Sequence, residues 1–305
     1  MVLALSPIPL INDRFFIYLG SLFMIYAIYA TSYNILFGYA GLVSFGHAIF
    51  FASGAYSTAL YTLRIYRDPL AGLLVGVLVT IPLALAIGAV TLRHTRIYFS
   101  ILTLALGMVL YALLIKLRGV TGGSDGLVGI PKKGLLIDIS SPSSYYFFIY
   151  LFFVLSIFAG YIVMRSRLGL LIRALGANED RLPFSGHSVF AIRLYTFTIS
   201  GVLAGLAGSL YAILMGVVTP DIAYWTFSAD PLIMTLLGGS GYYLGPSIGA
   251  LIFLILTTIF ARYSDVWMLF FGLAVIGIVL GFRGGIIGFA AWLWEKTSRR
   301  ETRGV

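Results

Sequence analysis

Between residues 15 and 63 the sequence holds no Asp, Glu, Lys or Arg, and its one histidine is His47. A polar side chain held at membrane depth faces the interior of a helix bundle or a wet path through it. Two roles are open to His47. It can stand with Asn34 and Ser44 beside a solute path, or it can be a neutral imidazole satisfied by a neighbouring hydroxyl or backbone group. His94, between Arg93 and Arg96, belongs to an interfacial loop, and His187 lies in a second loop without an evident partner. Three scattered histidines and no cysteine supply no ligand set, so no metal site is expected. The Gly41-x4-Gly46-His47 spacing approaches a phosphate-binding loop, which needs Lys and then Ser or Thr after the second Gly. His47 and Ala48 bring neither the ammonium group nor the hydroxyl. The chain is therefore expected to have no catalytic residue and no bound cofactor.

The elements that carry these residues follow from composition. Of 305 residues, 60% are hydrophobic and 10% charged, against about 45–50% and about 25% in soluble domains. So large an excess needs a bilayer as its apolar solvent. A crossing helix needs about 20 apolar residues, and a charge at its centre costs about 2.5–3.5 kcal/mol. Charge-free stretches lie between Arg14 and Arg64, Asp68 and Arg93, Arg96 and Lys116, Asp138 and Arg165, Arg193 and Asp221, Asp230 and Arg262, and Asp265 and Arg283. They predict an all-α polytopic membrane protein with about 8 full transmembrane helices plus 2 short Gly-rich membrane elements. The full spans fall near 15–32, 46–63, 70–92, 97–116, 145–164, 193–217, 246–262 and 266–282, and the short elements near 34–45 and 229–241. The ten elements divide into two groups of five, each with one short piece, a hint of a repeat.

Short, glycine-interrupted elements are tolerated at membrane depth only where protein buries them or where they line a cavity, and they point to a transport path. The candidate pathway residues are accordingly Asn34, Gly41, Ser44, His47, Gly238, Gly239 and Ser240. The run Gly201, Ala204, Gly205, Ala207, Gly208 suits close helix packing in lipid.

The net charge of +9 is read as the Lys and Arg of inner loops, not as a nucleic-acid surface. The count on each side is nearly the same whether both short elements cross or neither does, so charge does not choose between the two topologies. Both place the C-terminus inside, where Trp292 and Trp294 fit an interfacial belt. The N-terminal MVLALSPIPLINDR has no basic segment ahead of its apolar residues, so the first span is expected to serve as its own insertion signal.

The loop 165–193 holds five basic and two acidic residues around a potential helix at 166–178. In that helix Leu168, Leu171, Ile172 and Leu175 share one face. Such a segment is either a solvated loop that sets orientation or a docking surface for a soluble partner. A second loop, Thr121, Gly122, Gly123, Ser124, Asp125, reads as a turn-rich connector, or as a site that meets an external binding protein.

Residues Arg173, Ala174, Asn178, Glu179, Arg181 and Gly186, followed by Ser200, Ala204, Gly205, Ala207 and Gly208, resemble the coupling loop and next span of permeases in the branched-chain amino-acid ABC transporter family. The resemblance continues through 34–56, 118–127 and 237–250 and more loosely through GFRGGIIGF. Val43 stands where the family carries Gln. Leu182 and Pro183 replace small or basic residues, so a helix is expected to end or kink there. The run from Asn178 to Arg181 looks somewhat like the urea and short-amide branch.

The resemblance implies one permease domain over 1–305: a first group of spans and an external loop at 15–164, a cytoplasmic coupling loop at 165–193, a second group at 194–283 and a basic cytoplasmic tail at 284–305. Arg173, Ala174, Asn178, Glu179, Asp180, Arg181 and Gly186 would contact the ATPase. Implied partners are a second permease subunit, identical or not, two cytoplasmic ATPase subunits that carry ATP and Mg, an extracytoplasmic solute-binding protein and membrane lipid, with no nucleic acid. The implied setting is the cytoplasmic (inner or plasma) membrane, and the solute a branched-chain amino acid, urea, an amide or another small molecule. Counted back from a cytoplasmic 165–193, only the ten-crossing arrangement fits, and it puts residue 14 on that same side. The alternative, an ion- or proton-coupled secondary transporter, calls for intramembrane carboxylates. No Asp or Glu falls well inside a predicted span.

Overall fold

Helix starts in this chain are marked by side chains that take up free backbone N–H groups, the groups a helix leaves unpaired in its first turn. The computed structural model describes residues 13–94, 97–263, 267–281 and 284–289. Asp13 caps α1 (Arg14–Asn34), Asp68 caps α3 (Pro69–Thr91), and Ser141 caps α5 (Pro142–Arg165). Ser166 caps α6 (Arg167–Ala177) and Ser188 caps α7 (Val189–Met215). The other helices of more than one turn are α2 (Ala48–Arg64), α4 (Ile97–Lys116), α8 (Trp225–Gly238), α9 (Gly245–Tyr263) and α10 (Trp267–Gly281). The only sheet among the described residues is the pair β1 (Leu127–Val128) and β2 (Val217–Val218).

The predicted all-α polytopic class is what the structure has. Among the described residues seven helices are long and apolar enough to cross a membrane, and α2, with 17 residues, falls just short. Each predicted full span coincides with one helix to within a few residues. α1 and α7 form the buried centre, and α2, α3, α8 and α9 pack around them. The small-residue run of α7 lets backbones touch: a Cβ on Gly208 would lie 1.9 Å from the Phe51 carbonyl oxygen. The expected segments Trp292, Trp294, Arg283 and 290–305, and the N-terminal 1–12, lie outside the described residues.

The ten-crossing count is corrected by the first short element. Residues 34–45 do not cross alone. Ile35–Tyr39 carry α1 on as a π-helical turn, and residues 40–47 are non-helical chain that leads back to α2. α1 spans about 30 Å. Its Tyr18 end meets Met215, the end of α7, and its Tyr39 end meets Gly176 of α6. Residue 14 and the 165–193 loop therefore lie at opposite ends of the bundle. The charge-free stretch concealed this, because an apolar helix of 26 residues and two shorter elements look alike when no charge marks the break. The second short element is α8, with Pro231 inside it. It runs parallel to α1: Tyr29 donates to the Phe227 carbonyl and Asn34 Nδ2 to the Tyr242 carbonyl.

Candidate functional site

At the α6 end, Ser166 Oγ accepts from Gly169 N and starts a helix that buries Ile172 and Leu175. Leu168 and Leu171 pack beside them, as their shared face requires. Arg173 folds back, and Nη2 donates to the Met164 carbonyl at 2.9 Å. Ala174 is exposed. α6 stops at Ala177, five residues before Leu182, because Asn178 is extended (φ −164°) and its Oδ1 accepts from Asp180 N at 3.1 Å. The expected break at Leu182 and Pro183 instead separates two single turns, Glu179–Arg181 and Pro183–Ser185. Gly186 closes the second with φ 76°. Asp180 and Arg181 are exposed, and Phe184 is 92% exposed.

Glu179 is held by Arg193, a residue that in the sequence marks only the edge of a span. The Arg193 guanidinium is buried, forms an ion pair with the Glu179 carboxylate, and reaches the Leu92 carbonyl at 3.4 Å. One side chain thus ties the loop to the end of α3 and the start of α7. A lone arginine at a span start gives no sequence signal of such a role.

Between α6, the start of α4 and residues 40–45 lies a cavity of about 700 Å³. Its lining includes Gly41, Val43, Phe45, Phe99, Asn178 and Arg193. Gly41 is thus the one predicted pathway residue on it. The others do not line it: Asn34, Ser44, His47, Gly238 and Gly239 are buried elsewhere and Ser240 is half-buried. His47 is fully buried, pairs with Ser32 Oγ at 2.9 Å through Nε2, and stacks on Tyr29 with ring centroids 5.5 Å apart. Ser200 Oγ donates to the Ser32 carbonyl at 2.6 Å, and Ser228 Oγ accepts from Ala48 N at 2.9 Å. The Ser44 carbonyl accepts from Tyr33. Asn34 Oδ1, Ser44 Oγ and His47 Nδ1 have no hydrogen-bond partner among the described residues. Ser240 meets the end of α1: a Cβ on Gly38 would lie 2.5 Å from the Ser240 carbonyl oxygen. Gly238 and Gly239 pack on the start of α9.

The structure therefore gathers Asn34 with Ser240 and His47 with Ser32, and leaves both groups apart from the cavity. No group of three His, Cys, Asp or Glu able to hold a metal occurs among the described residues.

At the far end, Thr121 Oγ1 donates to the Leu114 and Leu117 carbonyls and accepts from Gly123 N. Gly122 and Gly123 have φ of 80° and 64°. Asp125 pairs with Arg118 at 3.2 Å, both exposed, and Ser124 is exposed beside them. This loop leads into β1, which pairs antiparallel with β2 (Leu127 with Val218, Val128 with Val217), so the loop after α4 and the loop after α7 form one surface. Asp68, unsuspected from sequence, accepts from Leu70 and Ala71 N on its own helix and from Leu136 N across the loop at 2.7 Å. Burial works to raise its pKa, but the N–H groups of Leu136, Ala71, Leu70 and Ile137 prevail and hold the carboxyl below its ordinary value.

The class these observations define is a multi-pass helical membrane protein with a loop cavity at one end of the bundle. The model for the branched-chain amino acid transport system permease component matches residues 15–281, and the chain belongs to this family of ABC importer permeases. It is similar to the high-affinity branched-chain amino acid permease proteins LivM of Salmonella typhimurium and Escherichia coli K12. Each is 30% identical over 293 residues, covering 87% of this chain and 68% of the relative. It is also similar to the ribose import permease protein RbsC of Escherichia coli K12, 30% identical over 195 residues, 59% of this chain and 58% of that one. No solved structure matches. Family membership overturns the ion- or proton-coupled alternative. The permeases of this family are not themselves enzymes.

Proposed function

We propose that this chain forms half of an import channel for branched-chain amino acids or solutes of similar size, with 165–193 on the cytoplasmic side as the seat of an ATPase subunit. Residue 14 and the 121–125 loop are then extracytoplasmic, and the end of α10 is cytoplasmic. The remaining parts are a second permease, two ATPases that bind ATP and Mg, and an external binding protein that meets the joined 121–125 and 217–224 loops. The amino-acid reading is supported by relatives that cover 87% of the chain, against 59% for the ribose permease.

The observation that carries the mechanism is the backbone contact between Gly176 and Tyr39. A load on Asn178–Arg181 passes through α6 into the end of α1 and residues 40–47, where Gly41 borders the cavity and His47 anchors the chain to Ser32. Arg193 holds the loop to α3 and α7, so the helices move as packed bodies. No covalent step occurs in this chain.

The sequence has no cysteine, which makes an Asn178→Cys variant a clean reporter. An impermeant maleimide should label it in inside-out vesicles and not in intact cells, and the ATPase subunits should protect it. Labelling of intact cells would overturn the assignment of sides. Uptake of leucine should stop on ATP depletion and persist with an uncoupler when ATP is maintained.

A further inference from the structure

The outer face of α5 carries Phe147, Leu151, Leu155, Phe158 and Ile162, all 51–61% exposed and three or four residues apart. Faces that pair membrane helices are built from small residues. Here Ser156 and Gly160 turn inward instead: Ser156 is buried, and a Cβ on Gly160 would lie 2.5 Å from the Tyr243 hydroxyl, which leaves Ala159 as the one small residue exposed beside the stripe. The bulky stripe has the make-up of a lipid-facing surface, not of a seam with a second permease.

Towards the α6 end the stripe opens into a groove of about 560 Å³ between α5 and the turn after α8, lined by Val154, Ile157, Phe158, Tyr161, Tyr243 and Leu244 among others. The Tyr243 hydroxyl donates to the Ile157 carbonyl, so its polar end is satisfied within the protein. At the rim the Arg165 guanidinium lies over the Tyr161 ring, 5.3 Å from its centroid. Stacking leaves the edge of the guanidinium free. Arg165 and Arg167 are both exposed, with no hydrogen-bond partner among the described residues. Arginine pairs with phosphate through a planar fork of donors, and basic residues at the ends of membrane helices draw anionic headgroups.

We propose that this groove is a phospholipid site that takes one acyl chain along Phe158 and Leu244 and an anionic headgroup on Arg165 and Arg167. The occupant is a lipid because the slot is apolar, continues a bulky outer stripe and has at its rim the exposed Arg165, with Arg167 two residues further along the chain. α6 starts at Arg167, so the headgroup sits at the root of the helix that meets the coupling turn, and the anionic lipid content of the membrane sets how firmly that root is held. The claim requires only that the chain spans a membrane, and it stands whichever side the loop faces.

The test uses the assembled transporter in nanodiscs with photoactivatable phosphatidylglycerol or phosphatidylcholine carrying the reactive group on the acyl chain. Phosphatidylglycerol adducts should map to 154–161 and 242–244 and exceed those of phosphatidylcholine. Arg165→Gln should lower the phosphatidylglycerol yield about fivefold, the factor expected of one juxtamembrane cation, and Arg165→Lys should restore most of it. Leu244→Trp, which fills the groove without touching the cations, should lower the adducts of both lipids. Thermal melting of each variant checks that it is folded. Adducts spread evenly along α5, or a yield indifferent to Arg165 and Leu244 in folded variants, would overturn the proposal. So would a cysteine pair between Phe158 and the second permease that crosslinks in high yield.

Discussion

A Cβ on Gly176 would stand 2.1 Å from the carbonyl oxygen of Tyr39, so α6 and the last turn of α1 meet with no side chain between them. The contact is direct and stiff. Gly176→Ala must push the two apart, and overpacking of this kind costs about 1–3 kcal/mol. The variant is expected to melt earlier in detergent and to hydrolyse ATP with little uptake once assembled. Gly119→Ala meets nothing within 4 Å and should leave both readings unchanged.

The pair Arg193 and Glu179 is unequal, with side-chain exposures of 8% and 35%. Removing the buried partner lets the carboxylate turn to water, so the loss is that of a surface pair, on the order of 1 kcal/mol or less, plus about 1 kcal/mol for the long bond to the Leu92 carbonyl. Removing the carboxylate strands a buried cation, which costs about 3 kcal/mol or more before water penetration reduces it. Glu179→Gln should therefore destabilise the protein more than Arg193→Met, as measured by thermal unfolding.

Ser32 and His47 share one hydrogen bond in a fully buried site. Ser32→Ala leaves an imidazole nitrogen unpaired, at a cost of about 1–3 kcal/mol. His47→Phe removes the demand and keeps the stack on Tyr29. The double variant should then be more stable than the sum of the single losses predicts, a coupling a double-mutant cycle reads directly. Additive losses would show that the bond carries no weight.

Asp68 ties the start of α3 to the loop at Leu136. Its carboxyl is held below the ordinary value in the folded chain, so the charged form is favoured by folding. That contribution is complete above the unfolded pKa of about 3.9 and is lost as pH falls through the lower folded value. The difference in melting temperature between the wild type and Asp68→Asn should be constant near neutral pH and shrink below about pH 4. A gap that widened on acidification would refute this account.

Much of the architecture was legible because charge marks the ends of membrane helices: Arg14, Asp68, Lys116 and Arg165 each stand at or beside a helix end. The 34–45 segment hides its course for the same reason. It contains no charge, and the π-helical turn that extends α1 has no composition of its own. The face of α6 could be read from the spacing of Ile172 and Leu175. The ion pair of Arg193 with Glu179 could not, since the partners stand 14 positions apart and only the fold brings them together. Asp68 with Leu136 is the same case, across 68 residues. Asn34, Ser44 and His47 were picked out as polar atoms in apolar sequence, a pattern that marks burial without giving access, and the structure keeps all three away from the cavity.

The short ladder of β1 and β2, with Gly129 N and Ile130 N both bonded to the Gly216 carbonyl, fastens the two halves of the chain at the end away from α6. A load entering at the Asn178 turn, as proposed above, would meet this clasp only at the opposite tip, so displacement is expected to be smallest beside the ladder and to grow towards α6.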